Sequence, residues 1–350
     1  MKDYIESLIK NLINQSGSDI HISVGRKPAF RINGNLIFLT NENNLTDENI
    51  KEILTVLLGK EIFEKFLIEK EVDFSYTSTE GARLRGNAFF QRGSISIVLR
   101  LIPGIKEISE LNLPQTIETF ARKKQGFFLV VGPVGHGKST TMASMVNLIN
   151  KERATHIVTI EDPIEFVYEP NKAIIDQREI GLDTKSFETA LKSVFREDVN
   201  VIMIGEMRSP ETMATAVTAA ETGHLVISTL HTNNASQTID RIIDSFPAGQ
   251  QDQIRVQLAG SLIGVFSQRL IPSTTGGRVP AYELMISNNA ISNLIREKRT
   301  HEIDVVIETG LEQGMISMNR SLIELVQQGK ITMESAQQFS SNPKGLEQLL

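Results

Sequence analysis

The chain has 350 residues, a formal net charge of −6 and no cysteine. This length predicts two domains, and the absence of cysteine excludes disulfides, thiol catalysis and cysteine-based zinc sites. The acidic balance argues against a protein whose whole surface binds nucleic acid or anionic lipid, although it allows a local basic patch.

The N-terminus does not resemble a targeting segment. MKDYIESLIKNLINQSGSD mixes charges with Ile and Leu at helical spacing and has no uninterrupted apolar run of the kind found in signal peptides. Nowhere do about 18 apolar residues follow one another, as a membrane-spanning helix requires. We therefore expect a soluble cytoplasmic protein that reaches a membrane only through a partner.

Residues 1–101 are typical of a separate α+β domain. The amphipathic opening helix is followed by short alternating runs, DIHISVG and PAFRING, and Asn33-Gly34 predicts a hairpin turn. Two helices are predicted over about 47–69. The strands EVDFSYT, ARLRGNAFF and SISIVLRLI then complete a sheet with alternating faces.

The pattern changes after residue 101. LIPGIKEISELNLP lacks a long periodic stretch and predicts a linker over 102–114. Over 115–287 the apolar runs FFLVVG, HIVTI, VIMIG and HLVISTL alternate with helical segments, which predicts an α/β domain with a largely parallel sheet buried on both faces. Residues 288–350 are predicted to form a helical region with the short helices AISNLIREK, THEIDVVIETG and MNRSLIELVQQG.

A phosphate-binding loop directly follows the strand FFLVV. GPVGHGKS matches GxxxxGK[ST] in the required strand, loop and helix context, so a glycine-rich turn with a chance lysine is a poor alternative. The glycines let backbone N–H groups surround phosphate oxygens, Lys138 would reach the β and γ phosphates, and Ser139 would bind Mg²⁺. The predicted cofactors are ATP and Mg²⁺, and the predicted nucleotide-binding residues are Gly132, Pro133, Val134, Gly135, His136, Gly137, Lys138, Ser139 and Thr140.

Hydrolysis also requires a carboxylate that orients or deprotonates water. TIEDPIE ends one predicted strand and Glu206 ends the next, at the edge of a parallel sheet where ligand groups cluster. An ordinary helix-start glutamate is the alternative for Glu206, and turn chemistry is the alternative for Asp162. Because Gly205 stands where many P-loop ATPases carry an aspartate, Mg²⁺ is expected to rely on Ser139, the phosphates and Glu206 through water.

Histidines and arginines offer further candidates. His224 precedes and His231 follows the strand LVISTL, but structural roles are commoner for histidines that lack metal-ligand spacing. Arg83 and Arg85 alternate with Leu84 and so share one face of a strand. A solvated basic face is the alternative to arginine fingers there.

The order and spacing of the motifs resemble the secretion ATPase superfamily. GPVGHGKST, TIEDPIEF, FREDVNVIMIGEMR and AAETGHLVISTLHT look like its Walker A, Asp box, Walker B and His box. SGSDIHIS, FPAGQQDQIRVQLAGSLIGVFSQRLIP and AISNLIREKRTHEI extend the resemblance over nearly the whole chain. The last segment is similar to the AIRNLIRE motif of type IV pilus retraction ATPases of the PilT family, with Ser292 where arginine is usual.

The resemblance implies a PAS-like N-terminal domain, a RecA-like ATPase domain and a homohexameric ring with nucleotide between the domains. It implies that Glu206 is the catalytic carboxylate and Glu165 its Asp-box companion. It also implies that His224 and His231 sense the state of the nucleotide and of the interface. The remaining implied site residues are the charge-stabilising arginines Arg83 and Arg85, and the motion-transmitting surface Leu294, Ile295, Arg296 and Glu297.

The implied activity is ATP hydrolysis that drives pilus retraction and twitching motility. The implied partners are an inner-membrane platform protein, pilins indirectly and a second retraction ATPase, at the cytoplasmic face of the inner membrane and without nucleic acid. Extension or secretion ATPases, a PilU-like accessory ATPase and a nucleotide-gated regulatory module with little turnover remain alternatives. A DNA translocase is disfavoured by the acidic charge and the lack of an aromatic-basic stacking surface.

Overall fold

The computed structural model describes residues 1–32, 34–102 and 104–347. It divides into two compact units, which we call the first unit (1–104 with 165–167) and the second unit (105–164 with 168–350). Each unit combines helices with a β-sheet, as the sequence predicted. The boundaries at 101, 114 and 287 stay predictions.

The first unit is built on a six-stranded antiparallel sheet in the order β3-β2-β1-β6-β5-β4. Both strands of the predicted hairpin form, with Ile32 opposite Asn35, while Asn33 itself lies outside the described residues. The elements in chain order are α1 (Lys2–Asn14), β1 (Gly17–Ser23), β2 (Ala29–Ile32), β3 (Asn35–Phe38), α2 (Asp47–Leu58), α3 (Lys60–Glu69), β4 (Glu71–Thr77), β5 (Arg83–Gln91) and β6 (Ser94–Leu101).

Local chemistry explains the two helices predicted over 47–69. The side chain of Thr46 accepts a hydrogen bond from the N–H of Asn49, whose side chain accepts one from the N–H of Thr46, so that the first turn of α2 is capped. Gly59, with φ +75°, separates α2 from α3. The two helices exist as predicted, and α2 buries an apolar stripe at helical spacing, formed by Ile50, Ile53, Leu54, Leu57 and Leu58.

The second unit carries a seven-stranded sheet in the order β13-β12-β7-β11-β10-β8-β9. Every pair is parallel except the β12–β13 hairpin, which confirms a largely parallel sheet. The elements are a 3₁₀ turn (Ile108–Leu111), α4 (Thr116–Ala121), β7 (Gly126–Val131), α5 (Lys138–Glu152), β8 (His156–Glu161), β9 (Ile174–Glu179), α6 (Phe187–Val194), β10 (Val201–Ile204), α7 (Pro210–Glu221), β11 (Leu225–Leu230), α8 (Ala235–Asp244), α9 (Ala248–Ser261), β12 (Leu262–Pro272) and β13 (Arg278–Ile286).

Burial identifies the centre of this sheet. Every residue of β7, β10 and β11 is buried, as expected when helices cover both faces. The pattern of apolar runs found these strands, but it did not predict β9 or the β12–β13 hairpin. Within the part of the chain that the structure describes, no helix combines the length and apolar composition of a membrane span.

The C-terminal helices pack within the second unit. They comprise α10 (Asn289–Arg296), a 3₁₀ turn (Thr300–Glu302), α11 (Ile303–Thr309), a 3₁₀ turn (Leu311–Gln313), α12 (Met318–Gln327), α13 (Met333–Phe339) and α14 (Pro343–Glu347). Leu294 is 9% exposed and Ile295 is fully buried, both in the main core. The expectation that they lie on a transmitting surface is therefore wrong, because α10 turns its apolar side inward and leaves only Arg296 and Glu297 of that group exposed.

Gly86 of β5 lies in close contact with an aromatic ring of β4, which allows a prediction about stability. Phe74 lies directly opposite Gly86, and a Cβ added at residue 86 would lie 2.2 Å from the Phe74 ring. We expect Gly86→Ala to lower the free energy of unfolding by about 1–3 kcal/mol through overpacking. Chemical denaturation measures the change.

The control for this substitution is Gly249→Ala, because an added Cβ there meets nothing within 4 Å. Phe74→Leu in the Gly86→Ala background should recover part of the loss. Equal destabilisation by the two glycine substitutions would contradict the role of the Phe74 ring.

Candidate nucleotide-binding site

The predicted phosphate loop occupies 132–137, between the end of β7 and the start of α5 at Lys138. Gly132, Gly135 and Gly137 have φ values of +143°, +78° and +84°. Residues with a Cβ rarely adopt such values, so the loop depends on glycine at these positions. A glycine-rich loop that leads into the start of a helix is an arrangement that stabilises a phosphate group through backbone N–H groups and the helix dipole.

Strand β12 lies against the base of the loop. A Cβ at Gly132 would lie 2.3 Å from the carbonyl oxygen of Gln268, so only glycine permits this approach. The hydroxyl of Thr141 in α5 donates a buried hydrogen bond of 2.6 Å to Oε1 of Gln268. Gln268 therefore holds both the first residue of the loop and the helix that follows it.

The same hairpin also contacts the tip of the loop. The N–H of Leu270 donates to Nδ1 of His136 at 2.9 Å, and the Arg278 guanidinium donates to the carbonyl of Gly135 at 3.1 Å. These contacts fix the His136 side chain towards β12. His136, one of the predicted nucleotide-binding residues, is thus hydrogen-bonded to the backbone of β12.

Lys138 and Glu206 lie at the two ends of a short polar chain. The Lys138 ammonium, which is 7% exposed, donates to the carbonyls of Gly132 and Pro133 at 2.8 and 2.9 Å and lies 3.3 Å from Nδ1 of His231. Nε2 of His231 lies 3.5 Å from Oε2 of Glu206. Nδ1 of His231 thus faces the ammonium and Nε2 faces the carboxylate, so the imidazole lies between the two charged groups.

Glu206 has a second cationic neighbour. Arg208 donates to Oε1 of Glu206, and this ion pair occupies the carboxylate oxygen that His231 does not approach. The hydroxyl of Thr229 in β11 donates to the carbonyl of Gly205 at 2.8 Å and fixes the backbone just before the glutamate. The sequence reasoning did not assign a role to Arg208, although it directly follows Met207 after the predicted strand end.

A carboxylate that the sequence did not select lies at the end of β8. Glu161 is 6% exposed and accepts hydrogen bonds from the Thr159 hydroxyl at 2.6 Å and the Gln177 amide at 3.3 Å. A Cβ at Gly205 would lie 3.3 Å from the carbonyl oxygen of Ile160, which is tighter than most such contacts, and 3.4 Å from Cα of Glu161. A side chain at residue 205 would therefore require the end of β8 to move by a few tenths of an ångström.

Magnesium would have few protein ligands here. Ser139 and Thr140 lie in the first turn of α5 and are partly exposed, and the Mg²⁺ role of the Ser139 hydroxyl stays a prediction. In residues 1–32, 34–102 and 104–347, no group of three or more His, Asp or Glu side chains is arranged to hold a metal ion. A Mg²⁺ ion would therefore take most of its ligands from nucleotide and water.

Other predicted site residues lie elsewhere. His224 precedes β11, which spans about 20 Å before His231, so the two histidines lie at opposite ends of the strand. Nδ1 of His224 lies 3.0 Å from the carbonyl of Ala219. Catalytic and sensing roles for these residues stay predictions.

Arg83, Arg85 and Glu165 fall in the first unit. The guanidinium of Arg83 donates to the hydroxyls of Thr77 and Ser75 at 3.0 and 2.7 Å. Leu84 between the arginines is fully buried, so Arg83 and Arg85 share the opposite face of β5. Their roles, and that of Glu165, also stay predictions.

Comparisons with known proteins match nearly the whole chain. The family model for "Type II/IV secretion system protein" matches residues 1–338. The "Twitching motility protein" of Neisseria gonorrhoeae is 43% identical over 91% of this chain and 86% of its own length. The "Type IV pilus retractation ATPase PilT" of Pseudomonas aeruginosa is 41% identical over 97% of this chain and 99% of its own.

A solved structure is also similar over almost the full length. The crystal structure of the pilus retraction motor PilT with bound ADP superimposes with a TM-score of 0.93 and 46% identity. The match covers 98% of this chain and 99% of that one. The likeness therefore includes both units and the phosphate loop.

The surroundings of His136 make the stability of the phosphate loop sensitive to acid. Burial, with Arg278, Arg269 and Lys138 nearby, lowers the pKa of His136. Because the unfolded chain binds this proton more readily, the stabilisation is present above the ordinary histidine pKa and is lost as pH falls through the lowered folded value. We expect His136→Asn, which keeps an acceptor but cannot titrate, to lose less thermal stability than wild type between about pH 7 and pH 5.

Thermal denaturation of the nucleotide-free proteins across this range measures the difference. Parallel pH dependence in wild type and His136→Asn would contradict a contribution of His136 titration to stability.

Proposed function

The chain belongs to the type II/IV secretion system protein family, and we propose that it is an ATP-hydrolysing motor that retracts type IV pili. The observation that carries ATP hydrolysis is the arrangement in which His231 lies between the loop lysine, Lys138, and the strand-end carboxylate, Glu206. This places a phosphate-binding cation and a candidate base in one site. The similarity to a retraction motor with bound ADP supports the same activity. The similarity to pilus retraction ATPases supports the work on pili.

Nucleotide binding would exchange the partners of Lys138. Its ammonium now contacts backbone carbonyls, and phosphate oxygens would replace them as stronger, charged acceptors. The loop glycines leave room for the phosphates, and Ser139 would hold Mg²⁺, which offsets negative charge on the transferring phosphoryl group. Glu206 would orient the attacking water once its oxygens are released from Arg208.

Assembly into a homohexamer would complete the site. His224 lies at the far end of β11 from His231, so we assign it to contacts between subunits rather than to its own phosphate loop. Arg83 and Arg85 would stabilise phosphate charge, and Glu165 would assist Glu206. The hexamer would act at the cytoplasmic face of the inner membrane on a platform protein, and through it on pilins, alone or beside a second retraction ATPase.

Substitutions at the site separate binding from hydrolysis. We expect Lys138→Ala to lose ATP binding, because it removes the cation that pairs with the phosphates. We expect Glu206→Gln to keep binding while turnover falls by about a hundredfold or more, since an amide cannot accept a proton from water. Steady-state hydrolysis, equilibrium nucleotide binding and oligomer mass are measured on the same samples.

The matched control is Glu211→Gln, an exposed carboxylate in the first turn of α7 that should keep wild-type turnover. A wild-type hexamer that binds ATP but never hydrolyses it would reject the motor and favour a nucleotide-gated module.

Deletion of the gene in its host tests the direction of work. A retraction motor predicts long, immobile pili that fail to shorten, because assembly continues without disassembly. Fluorescence microscopy of labelled pili measures this directly. Cells without pili would instead identify an extension motor.

A further inference from the structure

A buried carboxyl group of β13 anchors the start of helix α8. Glu283 is 7% exposed and accepts a hydrogen bond of 2.9 Å from the N–H of Ala235, the first residue of α8. Across the hairpin, Ser267 pairs with Glu283 and donates its hydroxyl to the carbonyl of Asn233 at 2.7 Å. Two neighbouring strands thus hold the chain on both sides of Asn234.

The segment held in this way begins at His231. We call residues 231–234 the His231 loop, and it joins the end of β11 to α8. The hydroxyls of Thr232 and Thr238 lie 2.7 Å apart and tie the loop to the first turn of the helix. Because the loop is short and fixed at its far end, a change at Ala235 alters where His231 can lie.

We propose that Glu283 is a positioning residue of the nucleotide site, which holds His231 between Lys138 and Glu206 by fixing the start of α8. The inference rests on the proposed ATPase function for its effect on turnover. The anchor itself can be measured without nucleotide.

The charge of Glu283 should set the strength of this anchor. Burial and Asp304 of α11 raise the pKa of Glu283 to about 7, while the Ala235 N–H and Arg269 of β12 oppose the rise. The first turn of α8 contributes uncharged groups, the Ala235 amide and the hydroxyl of Ser236. Since the hydrogen bond from Ala235 favours the ionised carboxylate, the bond is stronger in that state, and the anchor tightens as pH rises through neutrality.

Amide hydrogen exchange of the nucleotide-free protein tests the anchor. After correction for intrinsic exchange, we expect protection of the Ala235 amide in wild type to rise about fivefold from pH 6 to pH 8. Glu283→Gln keeps a carbonyl acceptor but cannot ionise, so this rise should disappear. Glu334→Gln, an exposed carboxylate of α13, should behave as wild type.

The pH profile of kcat tests the consequence for turnover. Wild-type kcat should contain a component that rises across the same range and that Glu283→Gln lacks. Asp304→Asn should move the midpoint to lower pH, because it removes the neighbour that raises the pKa of Glu283.

The outcomes separate the two proposals. Identical exchange in wild type and Glu283→Gln at every pH, or unchanged kcat profiles in Glu283→Gln and Asp304→Asn, would overturn the positioning role while leaving ATP hydrolysis intact. A charge-dependent exchange difference in a protein that never hydrolyses ATP would support the anchor and reject the ATPase function instead.

Discussion

The contact of β12 with the phosphate loop is the constraint on which the nucleotide site depends. The backbone carbonyl of Gln268 lies where a side chain on Gly132 would have to be. The side-chain oxygen of Gln268 accepts a hydrogen bond from the hydroxyl of Thr141 in the helix that follows the loop. The loop therefore keeps its shape because a strand added beside β7 supports it, and not through glycine conformation alone. A rigid loop of this kind can bind phosphate without reorganising its backbone at each turnover.

The polar chain beyond the loop satisfies a buried cation in the absence of ligand. An ammonium as shielded as that of Lys138 would be costly without acceptors, and the carbonyls of Gly132 and Pro133 provide them. The same lysine is within reach of His231, which in turn lies near Glu206. Arrival of phosphate would disturb the cation, the imidazole and the carboxylate together, which connects occupancy of the site to the state of the base.

Local signals predicted much of the fold and the position of the phosphate loop. Runs of apolar residues revealed β7, β10 and β11, and the loop motif located the turn between β7 and α5, because both signals depend on neighbours in sequence. The sequence did not reveal the support from Gln268, because it comes from a strand about 130 residues later in the chain. The apolar residues of that strand continue directly from those of α9, so their spacing does not distinguish strand from helix. Leu294 and Ile295 were misplaced because a recognised motif does not show which of its residues face the core. Among the acidic residues of TIEDPIE, only the folded strand end distinguishes buried Glu161.

Glycine at residue 205 has a consequence for whether the nucleotide-free protein holds a metal ion. Residue 205 follows the end of β10 and is a glycine, so it offers no carboxylate that could retain a cation between cycles. In the proposed reaction Mg²⁺ would then enter as a complex with each ATP and depart with each ADP. Its supply would follow the nucleotide pool of the cell, and dialysis against a chelator would leave the empty protein chemically unchanged.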